Sequence, residues 1–234
     1  MTPEPPAAWR ASAGRVVSRT LVRSLYAAQA HGVEHVPTSG PVILAANHTG
    51  YLDGAVVHGL SPRPAHFLVL ASTFDRAIGP VLRHSGQVPL EQGTGSREGL
   101  TAALGILGRG GVVGIFPEGG RGLGDLARAE KGVAWLAVRA GAPVVPVACL
   151  GTRATGALAD SWPRLRSRLV ADFGTPVVLA GARVPRSAWA GTPGRARVER
   201  AAEELRVALA RHVAGASARH GIPLPTDVPP DLRD

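Results

Sequence analysis

The chain has 234 residues, with 26 Lys and Arg against 17 Asp and Glu for a formal charge of +9. That length is most simply one domain with a hydrophobic core of its own. Aromatic residues are 4% of the chain and scattered, which argues against a single-stranded nucleic-acid binder, whose basic groups alternate with aromatic platforms. An anionic membrane surface suits the charge better, and a solvated basic face with no partner also accounts for it.

Residues 1 to about 8 are rich in proline and alanine. From Trp9 to Ala28 the residues Trp9, Ala13, Val16, Val17, Thr20, Leu21, Leu25 and Ala28 recur at helical spacing, while Arg15, Arg19 and Arg23 share another face. This predicts an amphipathic basic helix in an N-terminal segment 1–30, either anchored at a membrane surface or packed on its own domain. Apolar runs then alternate with helical stretches. Strands are expected at Gly32–Val36, Val42–Ala46, Ala65–Leu70, Gln87–Leu90, Val112–Phe116, Val144–Leu150 and Leu169–Phe173. Helices are expected at Leu52–Leu60, Thr73–His84, Ser96–Gly108, Glu130–Ala140 and Arg195–Val213. The alternation predicts an α/β fold over 31–216, a mainly parallel central sheet with helices on both faces. Residues 217–234, with their prolines and no apolar period, are expected to form an extended or disordered tail.

The N-terminus has no uninterrupted apolar stretch of the secretory type. No 18 apolar residues run together as a membrane span requires. The single cysteine, Cys149, lies in an apolar run and reads as a small buried hydrophobe compatible with a reducing compartment. These features lead us to expect a cytoplasmic protein, peripheral on the inner face of the cell membrane.

Two segments carry chemistry. Asn47-His48-Thr49-Gly50-Tyr51-Leu52-Asp53 follows the apolar run ending at Ala46 and sets His48 and Asp53 five positions apart. At a strand-to-helix turn the carboxylate can fold back onto one ring nitrogen, and an imidazole so held can take a proton from a hydroxyl or thiol near neutral pH. A helix-capping histidine, with Asp53 as a first-turn acid, is the plainer alternative. Phe116-Pro117-Glu118-Gly119-Gly120-Arg121-Gly122 follows the second run. Its glycines allow a ligand close to the backbone, and Arg121 offers a planar fork of donors to phosphate or carboxylate. Glu118 is placed to orient that fork or to receive a substrate hydroxyl. His58, His66 and His84 carry no assignment.

His48 and Asp53, followed by Phe116-Pro117-Glu118-Gly119-Gly120-Arg121, resemble the motifs of the 1-acylglycerol-3-phosphate O-acyltransferase (lysophosphatidic acid acyltransferase) family of glycerolipid acyltransferases. Gly32-Val33-Glu34-His35-Val36-Pro37, Lys131-Gly132 and Pro143-Val144-Val145-Pro146-Val147 extend the resemblance over about residues 30–180. Two departures stand out. Gln92 lies where the family usually carries an arginine, with Arg97 five residues on, and Gly120 and Gly122 stand where threonine and serine are frequent.

The resemblance implies transfer of a fatty acyl group from acyl-CoA or acyl carrier protein to the hydroxyl of lysophosphatidic acid or a related lysophospholipid. It implies a co-substrate thioester and no cofactor or metal. His48 and Asp53 would be catalytic, and Glu118, Gly119, Gly120 and Arg121 would bind substrate, with Lys131 a weaker candidate for a phosphate contact. No enzyme nucleophile is required, because the chain has no Gly-x-Ser-x-Gly elbow. Two other readings remain open on the residues. Metal-dependent hydrolysis would use His48, Asp53 and Glu118 as ligands, though without a His-x-x-x-His or Cys pair. A non-enzymatic basic module would bind membrane or nucleic acid.

Overall fold

A computed structural model of the chain describes residues 4–91, 97–179 and 194–229. Its centre is β2 (Val42–Ala46), whose five residues are all buried. Such a continuous apolar strand, with no polar alternation, needs a sheet covered on both faces. The neighbours supply it: β2 lies between β6 (Val144–Leu150) and β5 (Val112–Ile115), parallel to both. Outward from β5 come β3 (Ala65–Leu70) and β4 (Val88–Leu90), and outward from β6 come β7 (Arg168–Phe173) and β1 (Ala27–His31). The order is β1-β7-β6-β2-β5-β3-β4, and all pairings are parallel except β6 with β7.

Helices cover both faces. On one, α4 (Arg97–Gly108), α5 (Gly132–Ala140) and α6 (Arg195–His220) close a core around Ile43, Val113, Val144 and Val170. The α6 stripe is Val198, Ala201, Leu205, Leu209, Val213 and Ala216, spaced three and four apart. Each fully buried Val or Leu there contributes on the order of 1.5–3 kcal/mol. On the other face, α1 (Ala8–Leu25) and α2 (Asp53–Leu60) cover Val42, Leu44, Val145 and Leu169. The short α3 (Gly79–His84) precedes β4.

Several expected elements shift. The strand anticipated at Gly32–Val36 is a 3-10 turn at Val33–His35, and the sheet edge is made instead by Ala27–His31. Gly32, with φ +64, ends that strand, and any side chain there would collide with the Phe173 carbonyl. The edge strand has no apolar alternation that periodicity can detect. The helix expected through Ala28 therefore stops at Leu25, where Tyr26 turns extended. The Thr73–His84 helix divides into a 3-10 turn, Ala71–Asp75, and α3.

Helix α1 packs on α2 through its small residues and leaves most of the apolar face read from its period outside. Ala11, Gly14 and Val22 are buried, whereas Trp9, Val16 and Val17 are more than 60% exposed. Small residues decide this. A side chain on Gly59 of α2 would come within 2.8 Å of the Arg19 backbone nitrogen, so the two helices approach only because glycine is there.

The tail expected from residue 217 begins later and is not loose over its described part. Helix α6 runs through His220 and stops at Gly221, whose left-handed φ of 62° lets its N–H and that of Ile222 bond the Ala218 and Ser217 carbonyls. Ile222 and Leu224 then pack against the α4–α6 core. Among the described residues, no helix is long and apolar enough to cross a membrane.

Candidate active site

Three adjacent parallel strands, β6, β2 and β5, end on the same edge of the sheet, where ligands of open α/β sheets collect. The segment after β2 carries Asn47 and His48, that after β5 carries Phe116 to Gly122, and that after β6 carries Gly151 to Arg153. The Gly122 N–H donates to the His48 carbonyl at 3.0 Å, which sews the first two loops together.

Asp53 begins α2 and its side chain is wholly buried. Its Oδ2 accepts from His48 Nδ1–H at 2.8 Å and from the backbone N–H groups of Thr49 and Gly50 at 2.7 and 2.9 Å. Its Oδ1 accepts from the Thr152 hydroxyl and from the Cys149 thiol. A buried carboxylate needs such partners, because desolvation otherwise disfavours its charge. With Nδ1 donating to Asp53, the lone pair of the imidazole lies on Nε2. The His48 side chain is 21% exposed, and its ring stacks on Phe116 with centroids 4.2 Å apart.

Other polar residues hold this arrangement in place. Asn47 accepts from the Cys149 N–H and donates to the Cys149 carbonyl, at 2.7 and 3.1 Å, clamping the end of β6. The Thr49 and Thr152 hydroxyls are 3.0 Å apart. Gly124, at φ +72, must be glycine, since a Cβ there would come within 2.8 Å of the Asn47 amide nitrogen. Burial, with Asp53 nearby, pushes the Cys149 thiol well up, so it stays protonated and is no nucleophile.

In the second loop, Glu118 Oε1 accepts from the His48 N–H at 3.4 Å. Burial first, then the carboxylates of Asp125 and Asp53, push its carboxyl up to about 8, while the backbone bond from His48 works the other way. Glu118 is thus largely neutral at pH 7. Arg121 is not oriented by Glu118: its guanidinium donates to the Ala159 carbonyl at 3.0 Å and pairs with Asp160, in the connection between β6 and β7. The Gly119 N–H is bonded to the Phe116 carbonyl, so together with Gly122 two of the loop amides already have protein partners. Side chains at Gly120 or Gly122 would meet nothing within 4 Å, so that side of the loop is open.

The structure thus brings His48, Asp53 and Glu118 together and places Arg121 one residue before the amide bonded to His48. Lys131 lies elsewhere, paired with Glu199 of α6 at 2.8 Å. Arg97 is exposed at the start of α4, and Gln92 lies outside the described residues. Sequence reasoning missed Asn47, Thr152 and Asp160. The last two come from a connection 99 and 39 positions away from their partners, with no motif to mark them. Among the described residues, no group of three or more His, Cys, Asp or Glu side chains is placed to hold a metal ion.

The chain superposes on the 1-acyl-sn-glycerophosphate (LPA) acyltransferase of Thermotoga maritima with a TM-score of 0.63. That likeness covers 89% of this chain and 80% of the other at 19% identity, and it speaks for the fold alone. A family model described as Acyltransferase matches residues 27–150, more than half of the chain, from β1 to the end of β6. The chain belongs to this acyltransferase family. It is 30% identical over 155 residues to an uncharacterized protein of Mycobacterium tuberculosis, covering 59% of this chain and 41% of that one. It is 27% identical over 120 residues to the 1-acyl-sn-glycerol-3-phosphate acyltransferase of Bacillus subtilis, covering 50% of this chain and 60% of the relative. The chain thus matches less than two thirds of the length of either curated relative.

Proposed function

We propose that this acyltransferase moves a fatty acyl group from an acyl thioester, acyl-CoA or acyl carrier protein, to the hydroxyl of lysophosphatidic acid or a related lysophospholipid, in phospholipid biosynthesis at an anionic membrane surface. The observation that carries the chemistry is the 2.8 Å bond from His48 Nδ1–H to the wholly buried Asp53 carboxylate. It fixes the ring with Nε2 as the base. Nε2 takes the acceptor hydroxyl proton, and the oxygen attacks the thioester carbonyl. The carbon–sulfur bond then breaks, and the thiolate leaves with the proton that the imidazolium returns. Asp53 stabilises the imidazolium in between.

Glu118, Gly119, Gly120 and Arg121 form the acceptor subsite in this reading. The open flank of Gly120 and Gly122 gives room for a glycerol phosphate, and Arg121 reaches its phosphate by sharing or exchanging Asp160. A neutral Glu118 can donate a hydrogen bond to a substrate oxygen without repelling the phosphate. For the membrane partner, support comes from the exposed Trp9, Val16 and Val17 face of α1 and from the +9 charge.

The test is to incubate purified protein with acyl-CoA or acyl carrier protein and a panel of lysolipids, and to identify products by mass. Diacyl product that vanishes in His48→Ala supports the reading. No lipid product with either donor would overturn it.

A further inference from the structure

The connection between β6 and β7, residues 151–167, is long for a compact α/β domain, where connections of 2–6 residues are usual. It is firmly tied at several points. Asp160 and the Ala159 carbonyl bind Arg121, and Asp160 also pairs with Arg76 at 3.2 Å. The Arg166 N–H donates to the Leu25 carbonyl at 2.8 Å, and the Tyr26 hydroxyl lies 3.5 Å from the Pro163 carbonyl. Yet between these anchors the loop sends its large apolar side chains outward. Leu158 is 52% exposed, Trp162 54% and Leu165 69%. Such concentration on a tethered loop is unlike the scattered apolar exposure of ordinary surfaces.

Charge sharpens the reading. Arg164 and Arg166 are exposed on either side of Leu165, and the acid of this stretch, Asp160, is committed to two arginines. A tryptophan and leucines with two exposed arginines among them match the boundary of an anionic bilayer, with apolar groups below the headgroups and guanidinium groups on the phosphates. The patch also adjoins the site. Trp162 faces Tyr51, which lies between His48 and Asp53, with ring centroids 6.1 Å apart.

We infer that the 157–167 loop is a membrane-docking wedge, in which Leu158, Trp162 and Leu165 enter an anionic lipid surface and hold the mouth of the site against it. This rests on the membrane partner proposed above and adds, to the contact made by α1, a second one beside the site. An acidic protein surface, such as an acyl carrier, is the competing occupant. The exposed tryptophan and leucines, with Arg164 and Arg166 exposed beside them, favour lipid.

The experiment is sedimentation of the full chain with phosphatidylcholine vesicles carrying about one-third phosphatidylglycerol. Paired Trp162→Ser and Leu165→Ser substitutions should lower vesicle partitioning about tenfold or more. They should slow acylation of a vesicle-borne lysolipid to match, and leave the rate on a water-soluble short-chain acceptor unchanged. Leu165→Asp, at a side chain too exposed to be needed for folding, is the second variant and should give the same pattern. Unchanged partitioning in both variants, with binding instead lost on paired Trp9→Ser and Val17→Ser, overturns the wedge while sparing the membrane partner. A wild-type chain that binds no vesicles overturns both. Unchanged partitioning with a raised KM for acyl carrier protein makes the loop a protein-docking surface and likewise overturns the proposal. Absence of acyl transfer on every acceptor, with vesicle binding still lost in the variants, sinks the proposed reaction and keeps the wedge.

Discussion

His48 owes its position to an aspartate close in sequence and a threonine far from it. Asp53, five positions on, was legible because both residues lie on one strand-to-helix turn. Thr152, which donates to the other carboxylate oxygen, was not, because only the packing of β6 beside β2 makes the two neighbours. Replacing His48 with alanine should lower turnover about 10² to 10⁴-fold, with a melting temperature close to wild type, since the ring is part-exposed and Asp53 keeps its backbone donors. A steady-state assay with a thermal melt checks both. Glu118 makes a separate prediction. Its carboxyl is raised in the folded chain to about 8 from an ordinary 4.5. Between those values the folded state holds a proton that the unfolded state has lost, so this group makes stability fall as pH rises from 4.5 towards 8. Glu118→Gln should therefore gain stability over wild type at pH 8 more than at pH 5. Chemical denaturation at both values reads the difference.

At the scale of elements, the buried strands β2, β5 and β6 were readable because apolar runs bounded by turn residues have few other uses. The edge strand β1 was not. It is half-exposed and made of Ala27-Ala28-Gln29-Ala30-His31, and only its ladder with β7 defines it. Which side of α1 packs was not legible for a related reason: period alone finds apolar positions, whereas Gly14 and Gly59 decide which side can come close to a neighbour. The glycine loop after β5 was legible as a loop, but its arginine was expected beside Glu118 and is held by Asp160 instead. If Arg121 binds acceptor phosphate equally in ground and transition states, Arg121→Ala raises the acceptor KM and leaves kcat nearly unchanged. Kinetics with varied lysolipid at saturating donor distinguish this from a purely structural role, which would lower kcat.

For the whole molecule, the C-terminal segment is tied to the loops that form the site. Arg153, with a side chain wholly buried, donates to the carboxylate of Asp227 at 3.2 Å and to the Gly122 carbonyl at 3.3 Å. It thereby ties the end of the chain to the glycine loop. Asp227→Ala would leave a buried guanidinium without its carboxylate, a loss of about 3–5 kcal/mol, visible as a lower denaturant midpoint. The tail was unreadable from the sequence because proline-rich composition signals the lack of regular structure, not the lack of contacts.

The placement of β1 beside β7 bears on how the chain is made. Gln29 of β1 accepts from Arg168 of β7, 139 positions apart. At ribosomal speeds of about 5–20 residues per second, the first strand waits roughly 7 to 28 s for its partner to be synthesised. Throughout that interval its edge is open to other strands, so holdase chaperones should crosslink most to nascent chains stalled before residue 168 and release those stalled well beyond 173.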